Sequence, residues 1–417
     1  MNTNRTRSRE GLSGFWSLLR AVPLFEVLVV FSLFPAVYQG AERLQPVEAF
    51  APWNLYYLTI AAAAVCALGI FLLDRRIPPL SLFVLGVWLL FVGWAALSLE
   101  WTVGTDEYAT SKLTRIAAFN TLLLVFGLAL AQSRRRVVAF GIVMGLVGAW
   151  LTAEALYATY VLEEFPFVTT GATTYLSLGR AIGFAAPLLA YVLFAHRRYS
   201  LRVLAGALLA ILLVGLLTTG ARGPFVACAA ALGVFVVIEL VALPFHRQVS
   251  GRRVVFASVA TAAVAGAVFA ATQRLGGVPW TIRRLQGADG ARNTDTRQAM
   301  IVEAYEFWQE EPIRGHGLGS YEAMSAVGHV YPHNVVAEIL TELGLVGIGL
   351  FALLILPAFA MLVYVRFTTG DALHTALVAL FVFMFVNASF SFDLQGNRQL
   401  FFAIGLMAFA WAEATTE

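Results

Sequence analysis

The sequence predicts an all-α integral membrane protein of about twelve transmembrane helices, with one long outer loop that contains short helices. Three observations carry this. The 417 residues are 59% hydrophobic and only 13% charged, with a mean hydropathy of +0.77. Apolar runs of about 18 residues or more recur along the chain, the length that crosses a hydrocarbon core. Arginines gather in alternate connections, as cytoplasmic loops require. The net charge of +3 is small, so placement says more than total. Arg134-Arg135-Arg136 reads as a topology signal and implies no nucleic-acid partner. Cys66 and Cys228 sit in apolar runs, as inert core thiols outside any disulfide framework.

In chain order the expected spans are 22–39, 54–73, 79–98, 113–131, 137–160, 174–195, 202–219, 223–243, 254–272, 333–364, 371–391 and 398–414. The basic start before the first apolar run resembles a signal sequence. With many spans behind it and no clear A-x-A site, it is expected to remain as a first helix. Arg5, Arg7, Arg9 and Arg20 mark the N-terminal tail as cytoplasmic. The pairs and clusters at Arg75–Arg76, Arg134–Arg136, Arg197–Arg202 and Arg247–Arg253, with Arg366, mark alternate loops. Loops 40–53 and 99–112 are acidic or neutral. Both termini are therefore expected in the cytoplasm of a multi-pass protein surrounded by membrane lipids. The chain divides into helices 1–9 (residues 1–272), an outer loop (273–332) and helices 10–12 (333–417). No internal repeat is evident, which weighs against an inverted-repeat transporter.

Within the loop the composition turns polar and glycine-containing. Asn293-Thr294-Asp295-Thr296 supplies N-cap candidates for an amphipathic helix through Ala299, Met300, Glu303, Ala304, Phe307 and Trp308, which Arg297 opens. Pro312 ends it, and Gly315-His316-Gly317-Leu318-Gly319 reads as a flexible turn. Such a short helix suits a membrane surface.

The stretch that follows, Tyr331-Pro332-His333-Asn334 and the next span, is the most informative. Asn334, Glu338 and Glu342 recur at i, i+4 and i+8 and share one helix face. Carboxylates in hydrocarbon are expensive and need a reason. His333 stands at the N-terminal end, where the positive pole of the helix dipole favours a neutral, proton-accepting ring.

Three arginines are placed on the same side against the positive-inside bias: Arg222 in the tight turn Thr218–Pro224, Arg180 near the outer end of the sixth span, and Arg297. Guanidinium forks match phosphate or pyrophosphate. A neutral imidazole can take a proton from an attacking hydroxyl near pH 7, while prepositioned cations stabilise a departing diphosphate. No Asp-x-Asp or Glu-x-Asp pair stands in an outer loop and no His/Asp cluster has ligand spacing, so no metal or cofactor is expected. Asp393 and Arg398, in the last outer turn, face the same cavity or form a local ion pair.

Plainer readings stand beside these. His333 could be an interfacial helix cap. Glu338 and Glu342 could pair with an arginine or a neighbouring helix and orient the site. Arg222 could hold lipid phosphate, Arg297 could pair with Asp295 or Glu303, and His316 and His329 read as ordinary loop residues.

His333-Asn334, nine residues, then Gly344-Leu345-Val346-Gly347 resembles the H-[NSQ]-x9-G-x-x-G pattern of the O-antigen ligases. The preceding Arg297, Trp308 and Pro312-Ile313-Arg314-Gly315-His316-Gly317-Leu318-Gly319 resemble the long-loop signature of the wider ligase and polymerase superfamily. The specific motifs cover about residues 215–350. An R-x3-L pattern of the family is imperfect: Ile301 follows Arg297 and Val226 follows Arg222. The resemblance implies a GT-C-type glycosyltransferase of the bacterial inner membrane with a periplasmic site. It would move O-antigen polysaccharide from undecaprenyl diphosphate to a sugar hydroxyl of lipid A-core. It makes His333 the base and Arg222 and Arg297 the diphosphate contacts; Arg180 joins them on position, with Asn334, Glu338, Glu342 and Asp393 in support. No carboxylate is placed as a covalent nucleophile, so a single inverting displacement is expected. The alternatives are an O-antigen polymerase, a protein O-oligosaccharyltransferase and, from another class, a secondary transporter, which would show broken helices with midplane charges.

Overall fold

A computed structural model describes residues 23–35, 55–74, 77–164, 167–169, 174–196, 198–245, 266, 280–286, 288–326 and 328–409. Among them there are helices and connections and no strand. The protein is an all-α, multi-pass membrane protein. Eight of the described helices are long and apolar enough to cross a membrane. The expected ninth span, 254–272, apart from residue 266, and both termini lie outside the described residues.

The helices are α1 (Leu24–Leu33), α2 (Leu55–Asp74), α3 (Pro79–Leu97), α4 (Asp106–Leu130), α5 (Arg134–Tyr160), α6 (Tyr175–Gly183), α7 (Ala186–Ala195), α8 (Tyr199–Thr218) and α9 (Arg222–Ala242). The loop region adds α10 (Trp280–Gln286), α11 (Ala288–Glu310) and α12 (Ser320–Met324). It is followed by α13 (Val335–Thr369), α14 (Ala372–Ala388) and α15 (Arg398–Leu406). The α6–α7 pair is the centre of the bundle: its apolar window is 83% buried, against 33–50% for the other spans. Apolar side chains gain little by leaving lipid for protein, so close packing and internal polar pairs must fix the arrangement. One such pair lies toward the C-terminal end of α13. Buried Arg366 donates from Nε and Nη2 to Glu239 of α9 at 2.8 Å each, and Nε also reaches Thr375 Oγ1 of α14 at 3.0 Å.

Three expectations change. The span expected at 113–131 begins at Asp106, bringing Lys112 inside the helix, and a π turn at Ile116–Asn120 interrupts it. The span expected at 174–195 breaks between Gly183 and Ala186. The loop helix begins at Ala288, so Asn293–Thr296 lie inside it and not at its start, and Arg297 lies mid-helix. Propensity for a cap is a weak prior when a longer helix can dock. Met300 and Ala304 are buried, and Thr341 Oγ1 of α13 donates to Ala304 O at 2.9 Å, so the apolar face packs on the protein.

The glycine motif after His333-Asn334 has a physical explanation. Gly344 adopts φ 64°, ψ −161°, a conformation that breaks α13 and that a side chain resists. The break frees backbone groups, and the turn at 312–317 supplies their partners. His316 N–H donates to Thr341 O and Gly317 N–H to Glu342 O, each at 2.9 Å. Leu345 N–H donates to Pro312 O at 2.9 Å and Val346 N–H to Ile313 O at 3.2 Å. Indole N–H groups cover two more carbonyls: Trp94 donates to Leu343 O at 3.0 Å and Trp101 to Gly315 O at 3.2 Å. The turn is therefore locked, correcting the expectation of flexibility; Gly317, at φ 91°, lies so close to Thr102 that no Cβ fits. Irregular backbone at this depth is tolerable because protein surrounds it. A broken helix, the mark of the transporter alternative, is present here, but its gap is filled by main chain.

Candidate functional site

Pro332 and the cap place His333. Asn334 is the N-cap of α13, its Oδ1 accepting from Val336 N–H and Ala337 N–H at 3.0 Å each. Its Nδ2 donates to Ser389 O at 3.3 Å, tying the helix start to the α14–α15 turn. His333 precedes the cap in the left-handed region at φ 55°. For a non-glycine residue this costs about 1–3 kcal/mol and is found at sites where function holds the backbone. Its ring meets the Tyr331 ring edge-on at 4.5 Å and the His329 ring at 6.0 Å. Nδ1 is buried with no hydrogen-bond partner. Burial first, then the positive charge of Arg297 and the His329 ring, push the imidazole down to about 4; Asp393 pulls the other way. Neutrality was expected from the helix dipole. Desolvation and a neighbouring guanidinium are the larger causes.

Arg297 lies within electrostatic reach of His333, Tyr331, Tyr175 and Arg284. Burial and then the like charge of Arg284 hold its guanidinium below the ordinary arginine value, against the pull of Tyr175 and Tyr331. Arg222 faces Arg284 and Arg297 in turn. The clamp between α9 and α10 is reciprocal: Arg222 Nη1 donates to Arg284 O at 3.3 Å, and Arg284 Nη1 to Gly220 O at 2.6 Å. The Arg284 guanidinium stacks over Phe167 at 4.3 Å and Tyr175 at 5.2 Å. No carboxylate pairs with Arg222, Arg284 or Arg297 among the described residues. Glu303, a possible partner for Arg297, instead accepts from Tyr321 OH, Ser325 Oγ and Ala326 N–H at 2.8–2.9 Å. Arg222 and Arg284 are held by main chain and rings, Arg297 lies within their electrostatic reach, and the repulsion among the three suits the group to an anion.

Arg180 is differently occupied. It is fully buried, with Nη1 donating to Asn397 Oδ1 at 3.0 Å and Nη2 to Asn387 O and Ser391 O at 2.9 Å each. Its guanidinium lies over the Phe392 ring at 4.4 Å, and Nε is left without a partner. It thus organises the α14–α15 turn and is within electrostatic reach of Tyr331. Asp393 in that turn accepts from Gly396 N–H at 2.8 Å and Gln395 Nε2 at 2.6 Å. Arg398 turns to Tyr56 OH at 2.7 Å, so the local Asp393–Arg398 pair does not form. Burial, then the Asp393 and Glu338 charges, raise the Tyr331 phenol, which stays protonated.

Glu338 and Glu342 share a partner absent from the sequence reading. Lys112 Nζ of α4 lies 2.6 Å from Glu338 Oε1 and 2.8 Å from both Glu342 oxygens, with all three side chains buried. Glu338 Oε2 also accepts from Leu394 N–H at 2.8 Å. The carboxylates of the cap helix therefore bind it to α4 and to the α14–α15 turn. Among the described residues no three His, Cys, Asp or Glu side chains converge as metal ligands.

Sequence reasoning thus missed Arg284 and Lys112. The doublet Arg283-Arg284 in an outer segment was a usable signal, since it opposes the charge bias as Arg222 does. Two glutamates one turn apart in a span also demanded a cation, though nothing in the sequence pointed to residue 112.

Residues 207–352 match the family model described as O-Antigen ligase. No curated protein matches the chain. The matched segment runs from α8 into α13 and contains Arg222, Arg284, Arg297, His333 and the Gly344 break; Lys112, Arg180 and Asp393 lie outside it. Over residues 207–352 the chain is therefore similar to the O-antigen ligase family.

Proposed function

We propose that the protein is a periplasmic-face glycosyltransferase of the inner membrane that moves O-antigen polysaccharide from undecaprenyl diphosphate to a sugar hydroxyl of lipid A-core. The observation that carries this reading is a half-buried, neutral imidazole within electrostatic reach of Arg297, which neighbours Arg284 and Arg222, none of the three having a carboxylate partner among the described residues. Arg222, Arg284 and Arg297 hold the donor diphosphate through charge-assisted contacts. The acceptor oxygen attacks the anomeric carbon as the bond to the diphosphate breaks. Its proton passes to His333, whose Nδ1 is the buried and unpaired ring nitrogen. The electron pair leaves with the diphosphate, where guanidinium charge stabilises it. One displacement inverts the anomeric carbon. Asn334, Glu338, Arg180 and Asp393 set the backbone that aims the ring.

The test is His333→Ala in cells and in a purified assay with lipid A-core as acceptor. Polymer-capped lipopolysaccharide is expected to disappear, a loss of about 10²–10⁴ in rate for a removed general base. Normal capping by a stably expressed variant overturns the reading. Elongation of carrier-linked glycan without transfer to lipid A-core would assign the same machinery to polymerisation.

A further inference from the structure

A second concavity adjoins this site, and apart from Asp393 its lining takes no part in the mechanism above. It lies between α2, α4 and the α14–α15 turn, with a volume of about 480 Å³, and Tyr56, Tyr57, Arg115, Phe119, Asp393 and Arg398 line it. A shallower cleft of about 720 Å³ continues along α4 and shares Tyr57, Arg115 and Phe119. The three rings form a platform with centroids 5.6–6.2 Å apart. Arg398 lies over two of them, 5.6 Å from Tyr56 and 5.8 Å from Phe119, and is fixed by Tyr56 OH. Arg115 is exposed on α4 and forms no ion pair among the described residues. An exposed arginine within a membrane-spanning helix is expensive unless it faces water or an anion. The π turn at Ile116–Asn120 begins at the next residue, and such bulges mark functional sites more often than chance. Asn120 Nδ2 donates to Leu394 O at 3.1 Å, fastening the π turn to the strip of chain that carries Asp393. Asp393 faces both ways: it lines the cleft and is within electrostatic reach of His333.

We propose that this cleft binds a phosphate-bearing sugar of the acceptor, so that a neighbouring hydroxyl is delivered past Asp393 to His333. Aromatic faces take the apolar side of a sugar ring. Arg115 and Arg398 take its anionic substituent, and Asp393 and Gln395 meet hydroxyls. This rests on the proposed transfer for its purpose, but the binding itself does not need turnover.

The test therefore uses His333→Ala as an inactive host for binding and the wild type for kinetics. The ligand is lipid-free core oligosaccharide, before and after phosphatase treatment. Phosphorylated oligosaccharide is expected to bind the host, and adding Arg115→Ala to weaken it about tenfold, the scale of one charge-assisted contact. The dephosphorylated form should bind weakly and equally with or without Arg115. In the active protein Arg115→Ala should raise the acceptor KM by a similar factor, leaving kcat and the donor KM in place. Equal losses for both oligosaccharides, or a change confined to the donor KM, overturn the proposal. So does an Arg115 effect that vanishes when anionic lipids are removed from the nanodiscs, since the cleft would then hold a lipid headgroup. Retained transfer by His333→Ala, with phosphate-dependent binding intact, would sink the proposed base and leave the cleft standing.

Discussion

Lys112 and Arg284 are both cations near the same end of a membrane bundle, and their surroundings are opposite. Lys112 is fully buried between Glu338 and Glu342, at 2.6 and 2.8 Å. Arg284 has rings and a main-chain carbonyl as neighbours, with Arg222 and Arg297 repelling it. A cation matched by carboxylates inside the protein is spent on holding helices together. One held only by neutral groups keeps its charge for something that arrives later. The difference separates the frame from the proposed donor site. It also places Arg180 nearer the frame than its sequence position implied, since three main-chain and amide oxygens surround its guanidinium.

The largest effect that could break this contrast is at Lys112. Replacing it by Met leaves two carboxylates buried one helical turn apart with no cation, a loss of about 3–5 kcal/mol. The detergent-solubilised protein should unfold at a clearly lower temperature. The triple variant Lys112→Met, Glu338→Gln, Glu342→Gln should recover much of that loss, because no uncompensated charge remains. A Lys112→Met protein as stable as the wild type would remove the trio from the frame.

Next in size is Arg284→Ala. Losing one charge-assisted contact to the donor, worth about 1.5–3 kcal/mol, should raise the donor KM about ten- to a hundredfold while the melting temperature moves little. Arg284→Lys should recover only part, since an ammonium keeps the charge and loses the fork. A lowered melting temperature with an unchanged donor KM would move Arg284 into the class of Lys112.

How much of this was legible in the sequence follows the same division. Spans, the face shared by Glu338 and Glu342, the proposed base and two of the three clustered arginines were readable, because each broke a rule that hydrocarbon enforces locally. The partner of the glutamates was not, since a pairing between residues 112 and 338 depends on which helices neighbour each other. The start of α11 was misread for a related reason: Asn293–Thr296 satisfies a local capping pattern, and only docking onto α13 decides that the helix continues through it. The role of Gly344 was visible as a motif, but its reason, a helix broken to receive the 312–317 turn, required the fold.

The smallest effect is also the one that links the two regions through the ring between them. His333 is held down to about 4 by burial first and by Arg297 second. The folded value is below the unfolded one, so folding favours the neutral ring; that contribution is complete above about pH 6.5 and declines as pH falls toward 4. For catalysis the sign is the same: the base stays available until pH approaches its folded value. Donor diphosphate brings negative charge to the arginines, which offsets the repulsion and raises the imidazole. The acid limb of kcat/KM reports the free protein and should lie near pH 4, while that of kcat reports the complex and should lie at higher pH. Arg297→Gln should narrow the gap by raising the kcat/KM limb. If both limbs coincide in the wild type, bound diphosphate does not change the field at His333, and the arginine cluster is not where the donor sits.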